Sequence, residues 1–429
     1  MEPAKGSNTA AAKILRTYVT LTLLSTFSSS LIWGINTLFL LDAGLSITKA
    51  FAANAFFTLG EVLFEVPTGV VADTIGRRAS YLLGSATLFA TTLLYLYLWR
   101  THGPFWAWAV VSMLLGLGFT FFSGATEAWL VDGLKHAKYE GTMESAFAKG
   151  QIAGGIAMLA GTVAGGFTAQ LTNLGVPYAL RAVMLGLTFV VALTSMHDIG
   201  FVPEKRTSTV KAMGRTLHAS WEQGLRRPAV RWLMLSAPFS GGVGMYAFYA
   251  MQPYLLELHG GSRSYAIAGI AAAIVAATQI AGGFLVPYAR VLFRLRTSLL
   301  LASSLTTAGA LVAIGLVPSF VAALGLMGVW GIVFAGSTPV RQAYINALIP
   351  SESRATVLSF DNLLSSSGAV IAQPALGRAA DVWSYGTSYL VAGAIELLTL
   401  PFIVLARREK APSDPIPKDL ESPPSPTPG

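Results

Sequence analysis

The sequence predicts an all-α membrane protein of twelve transmembrane helices in two pseudo-symmetric halves of six. Three observations predict it. Of the 429 residues, 53% are hydrophobic and 12% charged, against roughly 25% charged in an ordinary soluble domain. The apolar residues arrive in blocks of about 20, the length a helix needs to cross ~30 Å of hydrocarbon. The basic residues fall unevenly between alternate breaks, as the positive-inside rule requires.

The blocks place spans at 18–41, 47–72, 79–99, 105–132, 151–175, 178–197, 232–256, 264–288, 297–317, 319–346, 355–377 and 385–406. They are continuous and too long for barrel strands, and in lipid every backbone N–H and C=O must be paired within the segment, so they are helices. With both termini inside, all of the 29 Lys and Arg except Lys49, Arg100, Arg181, Arg263 and Arg378 lie on the cytoplasmic side. The net charge of +8 is therefore topological and not a nucleic-acid footprint. The expected location is the cell inner (plasma) membrane, multi-pass, with the bilayer as surroundings and the protein a monomer. Trp99, Trp106, Trp108 and Trp383 fall near expected outer ends, where aromatic belts sit. The first 17 residues lack an apolar core with a small-residue cleavage site, so the first span is expected to stay as a membrane helix.

The longest polar interruption, 198–231, divides the chain into an N-terminal half (1–197) and a C-terminal half (232–410). Within this cytoplasmic linker, Thr216 to Gln223 reads as a short surface helix. The Pro- and Ser-rich stretch 411–429 reads as a disordered cytoplasmic tail. Span 5 is dense in glycine, with Gly161 and Gly165 as a small-xxx-small pair, and reads as a rocking seam between the halves.

A carboxylate inside a membrane helix costs about 2.5–3.5 kcal/mol on insertion scales, so each one demands a reason. Glu61 and Glu65 lie one turn apart on one face of span 2, and Glu396 lies mid-span in the last helix. Such a carboxyl can bind and release a proton, the property a proton-coupled transporter requires. The bland alternative is a hydrogen-bonded tie to a neighbouring helix. Glu127 and Asp361 sit in the cytoplasmic third of their spans and read as latches, with Arg341 a partner for Asp361. Trp33, Asn36, Tyr246, Tyr249, Gln279 and Gln373 are the mid-span polar or aromatic residues that could line a substrate cavity. The chain has no cysteine, phosphate loop or His-Glu-x-x-His, and its five histidines are scattered, so neither a metal site nor an enzyme or ATP-driven pump is expected.

The sharpest local pattern follows span 2: Gly69, three residues, Asp73, two residues, Gly76, Arg77, Arg78. Gly69 permits close packing, Asp73 ends the helix, Gly76 supplies a tight turn and the arginines face the cytoplasm. This resembles the Gly-x-x-x-Asp-x-x-Gly-Arg-Arg/Lys loop of the major facilitator superfamily, at the right place in a six-plus-six plan. The resemblance covers residues 16–407 and implies the major facilitator fold and transport by alternating access. It implies that Asp73 faces the start of span 11 and that Arg77 pairs with an acid at the inner end of span 4, Glu127 or Asp132. A degenerate copy, Arg290 to Arg296, keeps the basic character without the Gly and Asp. Glu65-x-Pro67 before the loop is similar to the tetracycline, macrolide and multidrug efflux branch. Two marks of drug–proton antiporters are altered: Thr162 replaces a proline in the span 5 motif, and Ser112 stands where span 4 usually carries arginine. Glu61 or Glu65 is then the better proton carrier.

The function expected is secondary transport, proton-coupled export of lipophilic compounds such as antibiotics, with the proton gradient as energy source and no cofactor. An apolar, aromatic cavity with few charges suits such substrates. A symporter for a small polar metabolite is the alternative, and a lipid flippase on the same fold a third.

Overall fold

The computed structural model describes residues 5–201, 221–260, 264–349 and 354–416. The described residues are almost wholly helical. The helices are α1 (Lys5–Trp33), α2 (Asn36–Asp42), α3 (Ile47–Ile75), α4 (Arg77–Thr101), α5 (Phe105–Thr120), α6 (Ala125–His136), α7 (Met143–Leu171) and α8 (Gly175–Ser195). After a π turn at Trp221–Leu225 come α9 (Pro228–His259), α10 (Tyr265–Leu292), α11 (Arg296–Leu316), α12 (Phe320–Asn346), α13 (Arg354–Val382), α14 (Tyr385–Leu397) and α15 (Thr399–Arg408). Among the described residues nine helices are long and apolar enough to cross a membrane, or ten if the bent pair α1–α2 counts as one span. In that count α5–α6 and α14–α15 are each a single span, while α9 and α13 have the length but fall outside it.

Four of the helices begin where a hydroxyl takes up an orphan N–H. Ser46 accepts from Lys49 N, Thr142 from Ser145 N, Ser319 from Ala322 N and Ser384 from Thr387 N; such caps are worth about 1 kcal/mol each. Lateral packing relies on small residues, because lipid tails give no hydrophobic drive between helices. A Cβ at Gly60 would collide with the Met113 carbonyl, and one at Gly116 with the Phe57 carbonyl, so α3 and α5 lie backbone to backbone. Outward faces carry exposed Leu94, Tyr97, Val183, Val190 and Val321, an apolar coat that suits lipid and not water.

α1–α8 pack among themselves, as do α9–α15, and the two groups meet mainly through α3 on α13 and α7 on α10. The glycine-rich span divides its labour. Gly161 and Gly165 pack on α1 within the first group, and Gly166 alone meets Gly269 of α10, where a Cβ would lie 2.8 Å from the facing Cα. The seam therefore rests on Gly166, not on the Gly161/Gly165 pair. One end of the molecule carries Arg77, Arg78, Arg296, Arg407 and Arg408, here the basic end; Trp99, Trp106 and Trp383 mark the opposite one. Of the expected belt, Trp108 is instead fully buried, stacked edge-on to Tyr95.

One expectation about connecting segments changes. Residues 411–416 are not a loose tail: Asp414 is 4% exposed and bonds to the start of α11. Residues 417–429, most of the linker with Lys205, Arg206 and 216–220, and Arg263 lie outside the described residues.

Candidate functional site

The first expected span is broken. α1 and α2 meet at 49° around Gly34, which is pressed against Gly269 and Thr162. A break leaves orphan carbonyls on one side and orphan N–H groups on the other. Gln252 of α9, 1% exposed, answers both: its amide nitrogen donates to the Trp33 carbonyl at 2.7 Å, and its oxygen accepts from Thr37 N at 2.9 Å. Thr37 Oγ1 also donates to the Tyr249 carbonyl at 3.1 Å. Further along the seam Thr48 donates to Asp381 at 2.7 Å, and Phe51 packs on Tyr246 with ring centroids 4.9 Å apart. Gln373 of α13 reaches Thr58 of α3 at 3.4 Å. These contacts close the seam at the end opposite the arginines. Toward the basic end α3 and α13 part around a cavity of about 300 Å³ lined by Glu61, Glu65, Ser359 and Asn362.

The two glutamates differ. Glu65 is exposed and accepts a hydrogen bond from Ser123 Oγ at 2.7 Å. Glu61, half-buried, has no hydrogen-bond partner among the described residues. Glu396 is not brought to this cavity. It is 3% exposed and lines a separate chamber of about 280 Å³ inside the second group, with Ser304 in hydrogen-bonding reach of its carboxyl. Arg341 and Asp361 lie on the wall of that chamber as a two-pronged pair at 2.7 and 3.0 Å, with a further bond from Arg341 to the Leu233 carbonyl at 2.7 Å. Asn362 lines both spaces.

Between the sealed contacts and Glu61 lies a polar pocket of about 40 Å³ that brings together Trp33, Asn36 and Tyr249 with Asn54, Tyr95, Phe119 and Arg181. Asn36 donates to Asn54 at 2.9 Å and accepts from the Tyr178 hydroxyl at 2.8 Å. Tyr95 and Ser112 share a hydrogen bond of 2.7 Å. Arg181, expected among the outer-side charges, is instead 2% exposed in this core, its guanidinium 5.8 Å from the centre of the Phe119 ring. Its Nε and Nη2 are buried without an acceptor, as is Nδ2 of Asn54. Arg181 is thus the cation beside Tyr95 and Ser112, supplied by α8 and not by the span in which arginine was sought. Tyr246 does not line this pocket: it bonds to Ser388 in the second group's core. Gln279 is half-buried on α10 outside the pocket, and Gln373 belongs to the seam.

At the basic end α3 runs on past Asp73 to Ile75, and Gly76 turns the chain with φ of 127°. Gly69 is not a packing glycine, since a Cβ there would meet nothing within 4 Å. Arg77 pairs with Asp73, stands 3.9 Å from Asp132 and lies over the Phe201 ring. Asp132 is thus its acid partner, while Glu127 is exposed. Arg78, at the same end, donates to the Leu193 carbonyl at 2.7 Å. Residues 350–353, just before α13, where Asp73 was expected to point, lie outside the described residues.

A polytopic helical protein with a polar cavity along a seam between two helix groups, sealed at one end and parted at the other, is built as a membrane transporter and not as an enzyme. The chain belongs to the Major Facilitator Superfamily, whose family model matches residues 18–295 and 284–428. Its fold is similar to the nucleoside transporter NupG (11% identity, TM-score 0.74, covering 91% of this chain and 98% of that one). It also resembles a peptide transporter, POT, solved with sulfate (16%, 0.69, 92% and 98%), and a D-xylose–proton symporter (17%, 0.66, 92% and 97%). At these identities the likeness is one of fold. No curated protein matches the sequence. The substrate of such a fold is a small molecule.

Proposed function

We propose that this protein is a proton-coupled secondary transporter that exports lipophilic organic compounds by alternating access. In this reading it has twelve spans in two six-helix halves, the second running through residue 416, with the basic end and both termini in the cytoplasm of a cell whose inner membrane it spans. The observation that carries the reading is Glu61: a carboxyl without a hydrogen-bond partner among the described residues, in a cavity that parts the seam on one side of a sealed contact. A proton on Glu61 is gained or lost as the cavity changes the side it faces, which couples the gradient to the seam's motion. Trp33, Phe57, Phe119 and Tyr249 add an aromatic surface in the separate pocket of about 40 Å³.

A symporter of a small polar metabolite is the second reading. The Asn36–Asn54 network favours it, as does the likeness in fold to nucleoside, peptide and xylose transporters.

The test is proton movement in liposomes that hold the purified protein and a pH-sensitive dye, challenged with lipophilic antibiotics. Glu61→Gln is expected to abolish substrate-driven proton flux. Glu65→Gln, which keeps an acceptor for Ser123, is expected to lower it only several-fold. Proton flux driven by labelled sugars or nucleosides and by no antibiotic would replace export with symport. Unchanged flux in Glu61→Gln would remove that residue as the carrier.

A further inference from the structure

We propose that Arg181 is the anchor for an anionic group of the transported molecule, a carboxylate or a phosphate, so that the substrates are amphiphilic organic anions. The inference rests on the transport reading above and names the substrate class from the small polar pocket that holds Arg181, which is separate from the Glu61 cavity.

A buried guanidinium stays charged in a protein and presents five N–H donors in a planar fork with no acceptor of its own. A charge taken out of water must be paired, or its burial goes uncompensated. Arg341 shows the usual answer in this molecule, with two bonds to the Asp361 carboxylate and one to a carbonyl. Arg181 has no such answer. No Asp or Glu lies within ion-pair distance of it among the described residues, and the phenols of Tyr95 and Tyr249 line the same pocket. Two of its nitrogens are buried without an acceptor while the residue lines a cavity.

The second observation is independent of Arg181. Asn54 spends its oxygen on Asn36, and its Nδ2 is left buried and unpaired in the same cavity. Unpaired donors from two different helices, α3 and α8, therefore meet at one space. The groups left unsatisfied there are donors, which defines the missing ligand as an acceptor bearing negative charge. An oxyanion fits the planar fork in the two-pronged way that Asp361 fits Arg341. The pocket of about 40 Å³ has room for the anionic group alone, and Phe119, Phe57 and Trp33 line it beside Arg181. A neutral lipophile would leave the donors unpaired, and a cation would be repelled.

The experiment is a thermal-shift titration of the full-length protein in detergent with matched probes: 2-naphthoate, 2-naphthyl phosphate, methyl 2-naphthoate and 2-naphthylmethylamine, at up to millimolar concentration. The expected result is stabilisation by one or both anions, with the ester at least about tenfold weaker, the factor for loss of one charge-assisted contact. The carboxylate and phosphate arms distinguish the two sources of the anion. Arg181→Gln is expected to bind acid and ester alike and to melt no lower than wild type, since an unpaired buried charge has been removed. Arg181→Lys retains part of the preference for the anion. The proposal is overturned if the ester or the amine binds as well as the anions, or if no anion stabilises the wild-type protein. It is likewise overturned if Arg181→Gln and Arg181→Lys both lose binding of every probe, the ester included, which assigns the guanidinium to the scaffold. The coupling reading fails separately: anions that bind in an Arg181-dependent way without moving protons in liposomes leave the anchor standing and remove proton coupling.

Discussion

Two corners of the basic end are built on one plan from different sequence. At the first, the second residue of α4, Arg78, donates its N–H to Asp198 at 2.9 Å, and Asp198 comes from the chain just after α8. At the second, the second residue of α11, Thr297, donates its N–H to Asp414 at 2.8 Å, and its hydroxyl does the same at 2.8 Å. Asp414 comes from the chain just after α15. In neither case does the residue before the helix cap it through its own side chain. A carboxylate from a distant segment answers the orphan donors and the helix dipole in both. What differs is everything else. The first corner adds Gly76 at positive φ and the cluster Asp73–Arg77–Asp132. The second has neither, and Arg296 there holds the carbonyls of Ser413 and Pro415. The shared part is what helix ends at this surface require to fold. The charge cluster, found at only the first corner among the described residues, has no counterpart in what the second corner uses, which makes it the part to test for a role in the proposed motion. The matched corners also support the proposed two-half plan.

The comparison breaks most readily at the second corner. Asp414→Ala leaves a buried N–H and a buried hydroxyl unpaired, and about 1–3 kcal/mol of stability is expected to go with them. Thermal melting in detergent reads it, and removal of 411–429 should do at least as much. Unchanged melting would mean that the second corner is not held by its cap. Next comes the first corner, where Asp198 is only half-buried. Asp198→Ala is expected to cost about 0.5–2 kcal/mol, the range of a lost helix cap. Gly76→Ala should match it, because the turn needs positive φ and the added carbon meets the Asp198 carboxylate. A much larger loss at Asp198 than at Asp414 would reverse the order and end the equivalence.

The turn of the first corner was legible because its residues are local, whereas its cap, Asp198, reaches Arg78 only through the fold. Gly76, Arg77 and Arg78 are consecutive, and the turn they predict is the turn observed. The second was not, since its key residue lies in a Pro- and Ser-rich stretch whose composition signals disorder; only the fold brings Asp414 to Thr297. The same contrast runs through the cavity. Glu61 stands out because a carboxylate interrupts an apolar block, and Asn36 and Tyr249 because they are polar at mid-span. Arg181 escaped because position along a helix reports depth in the bilayer, not which face turns inward. It lies two turns inside α8, where an arginine at the outer surface would also lie. Gln252 gained its role from the break at Gly34, and nothing near Gln252 in the chain announces that break.

The smallest stability effect is the most informative about function. Arg77 stands 3.9 Å from Asp132, and both side chains are partly exposed, 19% and 32%. A pair of that kind is worth about 0–1 kcal/mol after solvent screening. Asp132→Asn should therefore melt within about 1 kcal/mol of wild type and far above Asp414→Ala. Its transport rate in liposomes is nevertheless expected to fall several-fold. Arg77 sits on the connection between α3 and α4, and α3 carries Glu61 and one side of the seam, so loosening Arg77 changes the balance between the two faces of the cavity. Charge is the relevant variable: Asp132→Glu should restore part of the rate, where Asp132→Ala should not. If Asp132→Asn instead lowers melting as far as Asp198→Ala, and the lost transport follows only the lost folded protein, the cluster is a third piece of scaffold. The two corners would then differ in detail and not in purpose.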